Sequence, residues 1–380
     1  MNIFDVYPLF DITPVRGEGI YLYDDKGDRY MDLYGGHAVI SIGHSHPRYV
    51  QAITEQIQQL GFYSNSVKIP QQQELATKLG ELSGYNDYEL FLCNSGAEAN
   101  ENALKLASFK NKRKKVIAFE KSFHGRTSLA VAATNDKSIQ AEINTNDDVI
   151  FLPWDDVAAL LNAMNEDICA VIIEGIQGVG GVNIASESFL TLLRALCDKF
   201  GAILILDEIQ SGYGRSGYFF AHQCAGIKAD LITVAKGMGN GFPVAAVLIS
   251  PDFEAKHGLL GTTFGGNYLA CAAAIAVLDV IKEEGLIENA ANIGKYLIEQ
   301  LQTISAIKEV RGMGLMIGVE LYEPCAAVRK ELLTKHKIFT GTSSNKNTLR
   351  ILPPLTLTKA DADIFLKAFT SCLIPQAQIV

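Results

Sequence analysis

The chain lacks most of the short patterns that announce a familiar chemistry, and each gap removes a class of function. No GK[ST] is present, and the glycine-rich stretches 178–181 (GVGG) and 237–241 (GMGNG) do not match GxGxxG. A P-loop nucleotide site therefore has no support, and neither of these two stretches supports a Rossmann one. HExxH and GxSxG are missing as well, which removes the usual zinc protease and serine hydrolase signatures. The seven cysteines, at 93, 169, 197, 224, 271, 325 and 372, are scattered, odd in number and contain no CxxC. This argues for a reduced, intracellular protein rather than a disulfide framework or a zinc site. No apolar run reaches the ~20 residues that span a bilayer. Tyr268–Ile281 comes nearest, but Asp279 interrupts it and its alanine-rich spacing suits a buried helix. The N-terminus has no basic start followed by an apolar stretch, so no signal peptide is expected. Positive charge is also short, with 33 basic against 42 acidic residues, a net −9. That balance is a poor match to nucleic acid or an anionic membrane. The densest basic run, Lys110 to Lys115, follows a helical pattern and reads as a solvated helix end. His44-Ser45-His46-Pro47 offers two imidazoles without a third ligand, and reads as a turn. A soluble cytoplasmic enzyme is the expectation.

What is present supports a large core. Of 380 residues, 48% are apolar, enough to exclude disorder, and the length allows about two or three domains. Neither internal repeats nor low-complexity linkers break the chain. Its middle alternates short apolar runs (90–93, 116–119, 149–152, 170–173, 202–207, 231–235, 245–250) with helix-like stretches such as Ala97–Phe109 and Ser186–Phe200. This alternation predicts an α/β fold whose mostly parallel sheet is flanked by helices. Residues 19–34 read as a hairpin turning near Asp25–Gly27, and GLMIGVEL and TLRILP as short strands among C-terminal helices. The expected division is an N-terminal segment, 1–45, joining a large α/β domain, 46–270, to a smaller α+β domain, 271–380.

Ligands in such folds collect at the carboxyl ends of the strands, so the residues leaving each strand are the candidates. Asn94-Ser95-Gly96-Ala97-Glu98 follows the first run. Ser95 is a good helix cap, Gly96 permits close approach, and free amides at a helix start favour a phosphate. Taken alone, the same residues describe an ordinary capped helix. Asp207 and Lys236 each end an apolar strand. They read either as a buried salt bridge or as a desolvated carboxylate beside an imine-forming lysine. Phe123-His124-Gly125-Arg126 and Glu174-Gly175-Ile176-Gln177 leave two further strands, where single residues of this kind are usually structural. A phosphate cradle, a lysine, a carboxylate for a ring nitrogen and an aromatic to stack are together what pyridoxal phosphate requires.

The motifs NSGAEANENALKLA, FHGRT, DEIQSGYGRSG, LITVAKGMGNGFP, TTFGGN and TLRILPPL occur in that order. The chain thereby resembles the class III (subgroup II) pyridoxal-phosphate aminotransferases over nearly its whole length, and among them the acetylornithine/succinylornithine group. The resemblance implies a large domain with a fold type I sheet plus a small domain, pyridoxal 5'-phosphate as cofactor, and a homodimer with shared active sites. It implies that Lys236 holds the cofactor as an imine and later moves a proton, and that Asp207 pairs with the ring nitrogen. Gln210 would meet the ring's phenolic oxygen, Ile209 and Phe123 would pack on its two faces, and Ser95, Gly96 and Ala97 would hold the phosphate. Thr263 is similar to the threonine that reaches the neighbouring subunit's phosphate, and Thr262 would border the substrate. Arg126 resembles the arginine that grips the α-carboxylate of an acylornithine, and Arg350 the one that binds the carboxylate of glutamate and 2-oxoglutarate. Glu174 resembles the glutamate that pairs with Arg350 when the diamine is bound and releases it for glutamate. The implied reaction is transamination of N-acyl-L-ornithine with 2-oxoglutarate, in arginine biosynthesis. Rivals on the same scaffold are the ornithine, γ-aminobutyrate and succinyl-diaminopimelate aminotransferases, an aminomutase or a decarboxylase. The chain departs from the family pattern at Gly175, where proline is usual, at Val179, at Ser66-Val67 and at Tyr268.

Overall fold

The computed structural model describes residues 1–373. The chain opens with three antiparallel strands, β1 (Pro14–Glu18), β2 (Tyr21–Asp24) and β3 (Arg29–Asp32). β2 and β3 form the hairpin expected over 19–34. Its turn passes through Gly27 at φ +86°, a conformation glycine adopts without a Cβ clash. A short turn, α1 (Gly35–Ala38), precedes helices α2 (Pro47–Gln59) and α3 (Pro70–Ser83). Both longer helices begin with proline, whose missing N–H would have no intrahelical partner there anyway.

The seven apolar runs become seven strands of one sheet: β4 (Glu89–Cys93), β5 (Lys115–Phe119), β6 (Val149–Leu152), β7 (Ile168–Glu174), β8 (Ile203–Asp207), β9 (Leu231–Val234) and β10 (Ala245–Ile249). Their spatial order is β4-β10-β9-β8-β7-β5-β6. Neighbours from β6 to β9 pair in parallel, and only β10 runs against its neighbours β9 and β4. Between the strands run α4 (Gly96–Asn111), α5 (Ser128–Ala132), α6 (Val157–Ala163) and α7 (Glu187–Phe200). Every residue of β7, β8 and β9 is buried, which is why these strands read as unbroken apolar runs instead of alternating ones. The basic run is indeed a helix end. Lys112 caps α4 in the left-handed region, and Lys114 and Lys115 pair with Asp148 and Asp167.

The C-terminal part adds α8 (Tyr268–Glu283), α9 (Leu286–Gln302), β11 (Ile307–Met313), β12 (Met316–Leu321), α10 (Ala326–His336), β13 (Ile338–Phe339), β14 (Gly341–Thr342), β15 (Thr348–Ile351) and α11 (Lys359–Leu373). β11, β12, β15 and β14 form an antiparallel sheet, while β13 pairs in parallel with β3. The N-terminal hairpin thus shares a sheet with residues 338–339. α8 contains the longest apolar run, and its Asp279 meets Lys78 and Arg48 from α3 and α2. Among the described residues no helix is long and apolar enough to cross a membrane.

One buried cation ties these parts together. The Arg215 guanidinium donates to the carbonyls of Leu315 (3.1 Å), Pro353 (2.8 Å) and Ile40 (3.4 Å). Burial lowers its pKa to about 10, so it stays charged at neutral pH while neutral dipoles replace water. Arg215→Ala should lower unfolding stability by about 3 kcal/mol, by the loss of hydrogen bonds to a charged group. Chemical denaturation measures this, and a loss below about 1 kcal/mol would show that the clamp is dispensable.

Candidate active site

Because β4, β5, β7, β8 and β9 share one direction, their carboxyl ends lie along one edge of the sheet, and β10, running the other way, begins there. Residues just past these ends line a cavity of about 430 Å³. Ser95, Gly96 and Ala97 follow β4, Phe123 and Arg126 follow β5, and Glu174 ends β7. Asp207, Ile209 and Gln210 follow along β8, Lys236 leaves β9, and Phe242 to Val244 lead into β10. The interstrand register sets Glu174 beside Asp207 and Asp207 beside Thr233, so two carboxylates are fixed side by side in the floor.

Asp207 is held from three directions. One oxygen accepts from His124 Nδ1 (2.7 Å) and Asn100 Nδ2 (2.8 Å), and the other from the Ile209 amide (3.1 Å). Asn100 is itself oriented by donating to the His124 carbonyl and accepting from Thr233 Oγ1. The Nε2 of His124 is buried without a partner among the described residues. Lys236 Nζ makes no hydrogen bond or ion pair among the described residues. The simple Asp–Lys salt bridge, open on the sequence, is therefore not formed. Burial lowers the lysine pKa, against the opposing pull of the Asp207 and Glu174 charges. A desolvated amine facing a cavity, beside an acid already engaged elsewhere, has the character of a nucleophile and base.

The lysine backbone is strained, with φ +45° at Lys236 and φ +46° at Asn240. The loop is pinned to the N-terminal segment. Asn240 Oδ1 accepts from the amides of Ser41 (2.8 Å) and Ile42 (3.1 Å), and its Nδ2 donates to Gly43. Ser41 Oγ donates to the Gly237 carbonyl, and Tyr49 to that of Gly239. The GMGNG stretch is therefore a clamp for the lysine.

At the start of α4, Ser95 Oγ accepts from the Glu98 amide (3.2 Å). The amides of Gly96 and Ala97, which a helix cannot satisfy internally, stand at the cavity. The Phe123–Arg126 loop can lie close to this helix start because Gly125 has φ +140° and no Cβ. One built there would come within 2.8 Å of Ala97 Cβ. Arg126 is exposed and unpaired among the described residues.

Glu174 is buried, and that burial, reinforced by Asp207, pushes its pKa up to about 7. Its oxygens accept from the amides of Phe123 (3.1 Å) and Gly178 (3.0 Å). Arg350, on β15, donates from Nε to the Thr342 carbonyl (2.5 Å) and from Nη1 to Gln210 Oε1 (3.2 Å). The Glu174–Arg350 pair is thus open in this structure, and Arg350 reaches the cavity through Gln210. Thr262 also stands one contact away, its hydroxyl accepting from Asn94 Nδ2 (3.3 Å) and the Gly265 amide. Thr263 is exposed and does not line the cavity of its own chain.

The departures from the family pattern have local explanations in part. A Cβ at Gly175 would come within 2.5 Å of Glu208 Oε1. That carboxylate is fully engaged with His222, Ser211 and the Ala221 amide. Val179 lines the cavity and accepts from the Ser344 amide through its carbonyl. Ser66 and Val67 are exposed. At Tyr268, Asn267 caps α8 by accepting from the Ala270 amide.

Three contributors went unread in the sequence. His124 was visible but looked structural, and Asn240 lay in a glycine-rich stretch without a matching pattern. Asn100 had a usable signal, since it stands four residues after Gly96 and hence on the same helix face. The donor set fits pyridoxal phosphate. It offers open amides at a helix start for a phosphate, an oriented carboxylate, a partly buried amine unpaired among the described residues, and apolar side chains in Phe123 and Ile209.

A family model described as aminotransferase class-III matches residues 5–373. The acetylornithine aminotransferase of Nitrosomonas europaea is 40% identical over 376 residues, covering 95% of each chain. That of Bacillus subtilis is 40% identical, covering 94% of each. Among solved structures, the ornithine aminotransferase of Toxoplasma gondii, with PLP partly occupying its active site, superposes with a TM-score of 0.90. It is 29% identical and covers 96% of this chain and 90% of its own. The acetylornithine aminotransferase of Elizabethkingia anophelis gives 0.84 at 28% identity, covering 97% of this chain and 94% of its own.

His124→Phe should weaken pyridoxal phosphate binding roughly tenfold or more, because Asp207 loses a charge-assisted donor. Absorbance titration of the apoprotein measures it, with circular dichroism as the folding control. An unchanged dissociation constant would remove His124 from the site.

Proposed function

The chain belongs to the class-III aminotransferases, which are pyridoxal-phosphate enzymes, and from that premise we propose that it transfers the δ-amino group of an N-acyl-L-ornithine to 2-oxoglutarate. The products are the N-acyl glutamate 5-semialdehyde and L-glutamate, as a step of arginine biosynthesis. The observation that carries this reading is one cavity holding Lys236, Asp207 and a free cation, Arg126, at its rim. The resemblance to named acetylornithine aminotransferases supports it.

When bound, pyridoxal phosphate supplies an aldehyde that condenses with amines and a ring that accepts the electron pair of a deprotonated carbon. The residues of the chain do the rest. Lys236 Nζ would hold the group and would serve as the base for the proton at the δ-carbon of the substrate. Its pKa, lowered by burial, favours the neutral amine that this task needs. Asp207 would hold a proton on the ring nitrogen, and His124 and Asn100 fix that carboxylate. Gly96, Ala97 and Ser95 would receive its phosphate, Gln210 would meet its phenolic oxygen, and Phe123 and Ile209 would pack on its ring. Arg126 grips the α-carboxylate of the acylornithine, where a guanidinium fork matches both oxygens, and Thr262 borders that substrate.

Arg350 and Glu174 let one pocket serve unlike substrates. With the diamine bound, Glu174 neutralises Arg350. With glutamate or 2-oxoglutarate, the cation takes the substrate carboxylate and Glu174 falls back on the Phe123 and Gly178 amides, the arrangement of this structure. The exposed Thr263 fits a homodimer in which it reaches the partner's phosphate, so that each site needs both chains. Seven free cysteines suit the reducing cytoplasm as its location. Unacylated ornithine is the second reading, favoured by the likeness to ornithine aminotransferases.

Purified holoenzyme should form glutamate from 2-oxoglutarate with acetyl- or succinylornithine, at a kcat/KM well above that for ornithine. Failure with both acylornithines would refute the proposal. Arg126→Ala should raise KM for the acylornithine by about tenfold or more, as loss of a charged hydrogen-bonded contact does, and leave that for glutamate nearly unchanged.

The Glu174 pKa of about 7 predicts a pH signature. Below it the carboxyl is neutral and cannot pair with Arg350, so the acylornithine half-reaction should gain rate as pH rises through about 7. Glu174→Gln should flatten this step in single-turnover measurements. A step that persists in that variant would assign the titration to another group.

A further inference from the structure

Residues Gly35 to Ala38 form one turn of left-handed helix, with φ of +56°, +55°, +70° and +63°. Two glycines enter this region freely, but His37 and Ala38 do so against the contact between Cβ and the following carbonyl oxygen. The fold nevertheless maintains the turn. Asp32 Oδ1 accepts from the Tyr34 amide (3.0 Å) and the Gly35 amide (2.8 Å), and the Ala38 amide donates to the Tyr34 carbonyl (2.9 Å). Strain of this kind persists only where the surroundings impose it, and it gathers at functional positions.

The turn carries the His37 ring back onto Tyr34. The Tyr34 hydroxyl lies 2.5 Å from His37 Nδ1, and the ring centroids are 4.7 Å apart. Tyr34 in turn lies against Arg350, whose guanidinium carbon is 5.9 Å from its ring centroid. Gly341, paired with Arg350 across β14 and β15, has no Cβ, and one built there would collide with the Tyr34 ring. Arg350 already spends its Nε on Thr342 and one Nη1 hydrogen on Gln210, which leaves the Nη2 donors of the fork for a ligand.

We infer that Tyr34 and His37 are a positioning pair for Arg350, holding its guanidinium in the orientation that takes the carboxylate beside the reacting carbon of 2-oxoglutarate and glutamate. The inference rests on the role proposed above for Arg350. The charged groups around the pair are Arg350, Arg329, Lys236 and Asp32. Partial burial, with the three cations, lowers the His37 pKa, and partial burial raises that of Tyr34. The imidazole is therefore neutral and the phenol protonated, so the hydroxyl donates and Nδ1 accepts. A protonated imidazole could not accept that bond.

The test compares holoenzyme variants by their KM for 2-oxoglutarate and for N-acetylornithine. Tyr34→Phe and His37→Gly should each raise KM for 2-oxoglutarate roughly two- to tenfold, the span of a lost hydrogen bond, and leave that for acetylornithine within about twofold. His37→Asn should restore the parent value. Its Oδ1 occupies the position of Nδ1, and asparagine tolerates the left-handed region. His37→Gly relieves backbone strain and should melt no lower than the parent, so a raised KM in it is not a loss of fold. Arg350→Lys is the control for the underlying reading. If it leaves the KM for 2-oxoglutarate unchanged, the role of Arg350 fails and the pair falls with it. If Arg350→Lys acts selectively while Tyr34→Phe and His37→Gly raise both KM values equally or neither, the positioning pair alone is overturned.

Discussion

The site depends on placing ionisable groups at an edge of the sheet that is largely shielded from water. Three adjacent strands, β7, β8 and β9, are buried along their whole length and deliver Glu174, Asp207 and Lys236 to that edge. A charge in such surroundings must be engaged or shift its pKa, and the three solve the problem differently. Asp207 is bonded to a histidine, an amide side chain and a backbone amide. Glu174 takes two backbone amides and rises to about 7. Lys236, left without a partner, gives up part of its basicity. Of the three, Lys236 is the group that the described residues leave without a partner.

Holding that group in place draws in the rest of the chain. The lysine sits in a left-handed backbone conformation that a β-strand exit would not adopt unaided. Its loop is fastened by Asn240 and Ser41 to residues 41–43. Those residues are joined to the C-terminal sheets through Arg215, which binds Ile40, Leu315 and Pro353 together. The same junction carries Tyr34, His37 and Arg350, so the elements that fix the reactive amine also border the place where a substrate carboxylate would enter. The likeness to ornithine and acetylornithine aminotransferases covers 96–97% of this chain, and the site is assembled from distant segments within that span.

Much of the fold was legible because burial leaves a direct mark on sequence. All seven central strands appeared as continuous apolar runs, and the N-terminal hairpin appeared through its alternation and its Asp-Lys-Gly turn. Asp207 and Lys236 stood out as charges at the ends of such runs. The partners of those charges did not. His124 looked like any loop histidine, and Asn240 was hidden in a glycine-rich stretch. Asn100 acquires its meaning only when a helix face meets the end of a strand. Hydrogen-bond partners 24 and 107 residues apart, as in the bonds of Asn100 to His124 and Asp207, leave no local pattern.

The sequence by itself determined the layered α/β class, the strands, and which charged and aromatic residues would leave them at the carboxyl edge. Period and hydrophobicity are properties of neighbours along the chain, so these features needed no fold to be read. Tertiary structure alone decided that Lys236 is unpaired while Asp207 is held by His124, that Glu174 stands apart from Arg350, and that a left-handed turn lays His37 and Tyr34 against that arginine. Pairing and desolvation depend on distances across the sheet and between sheets, and those distances exist only once the chain has closed on itself.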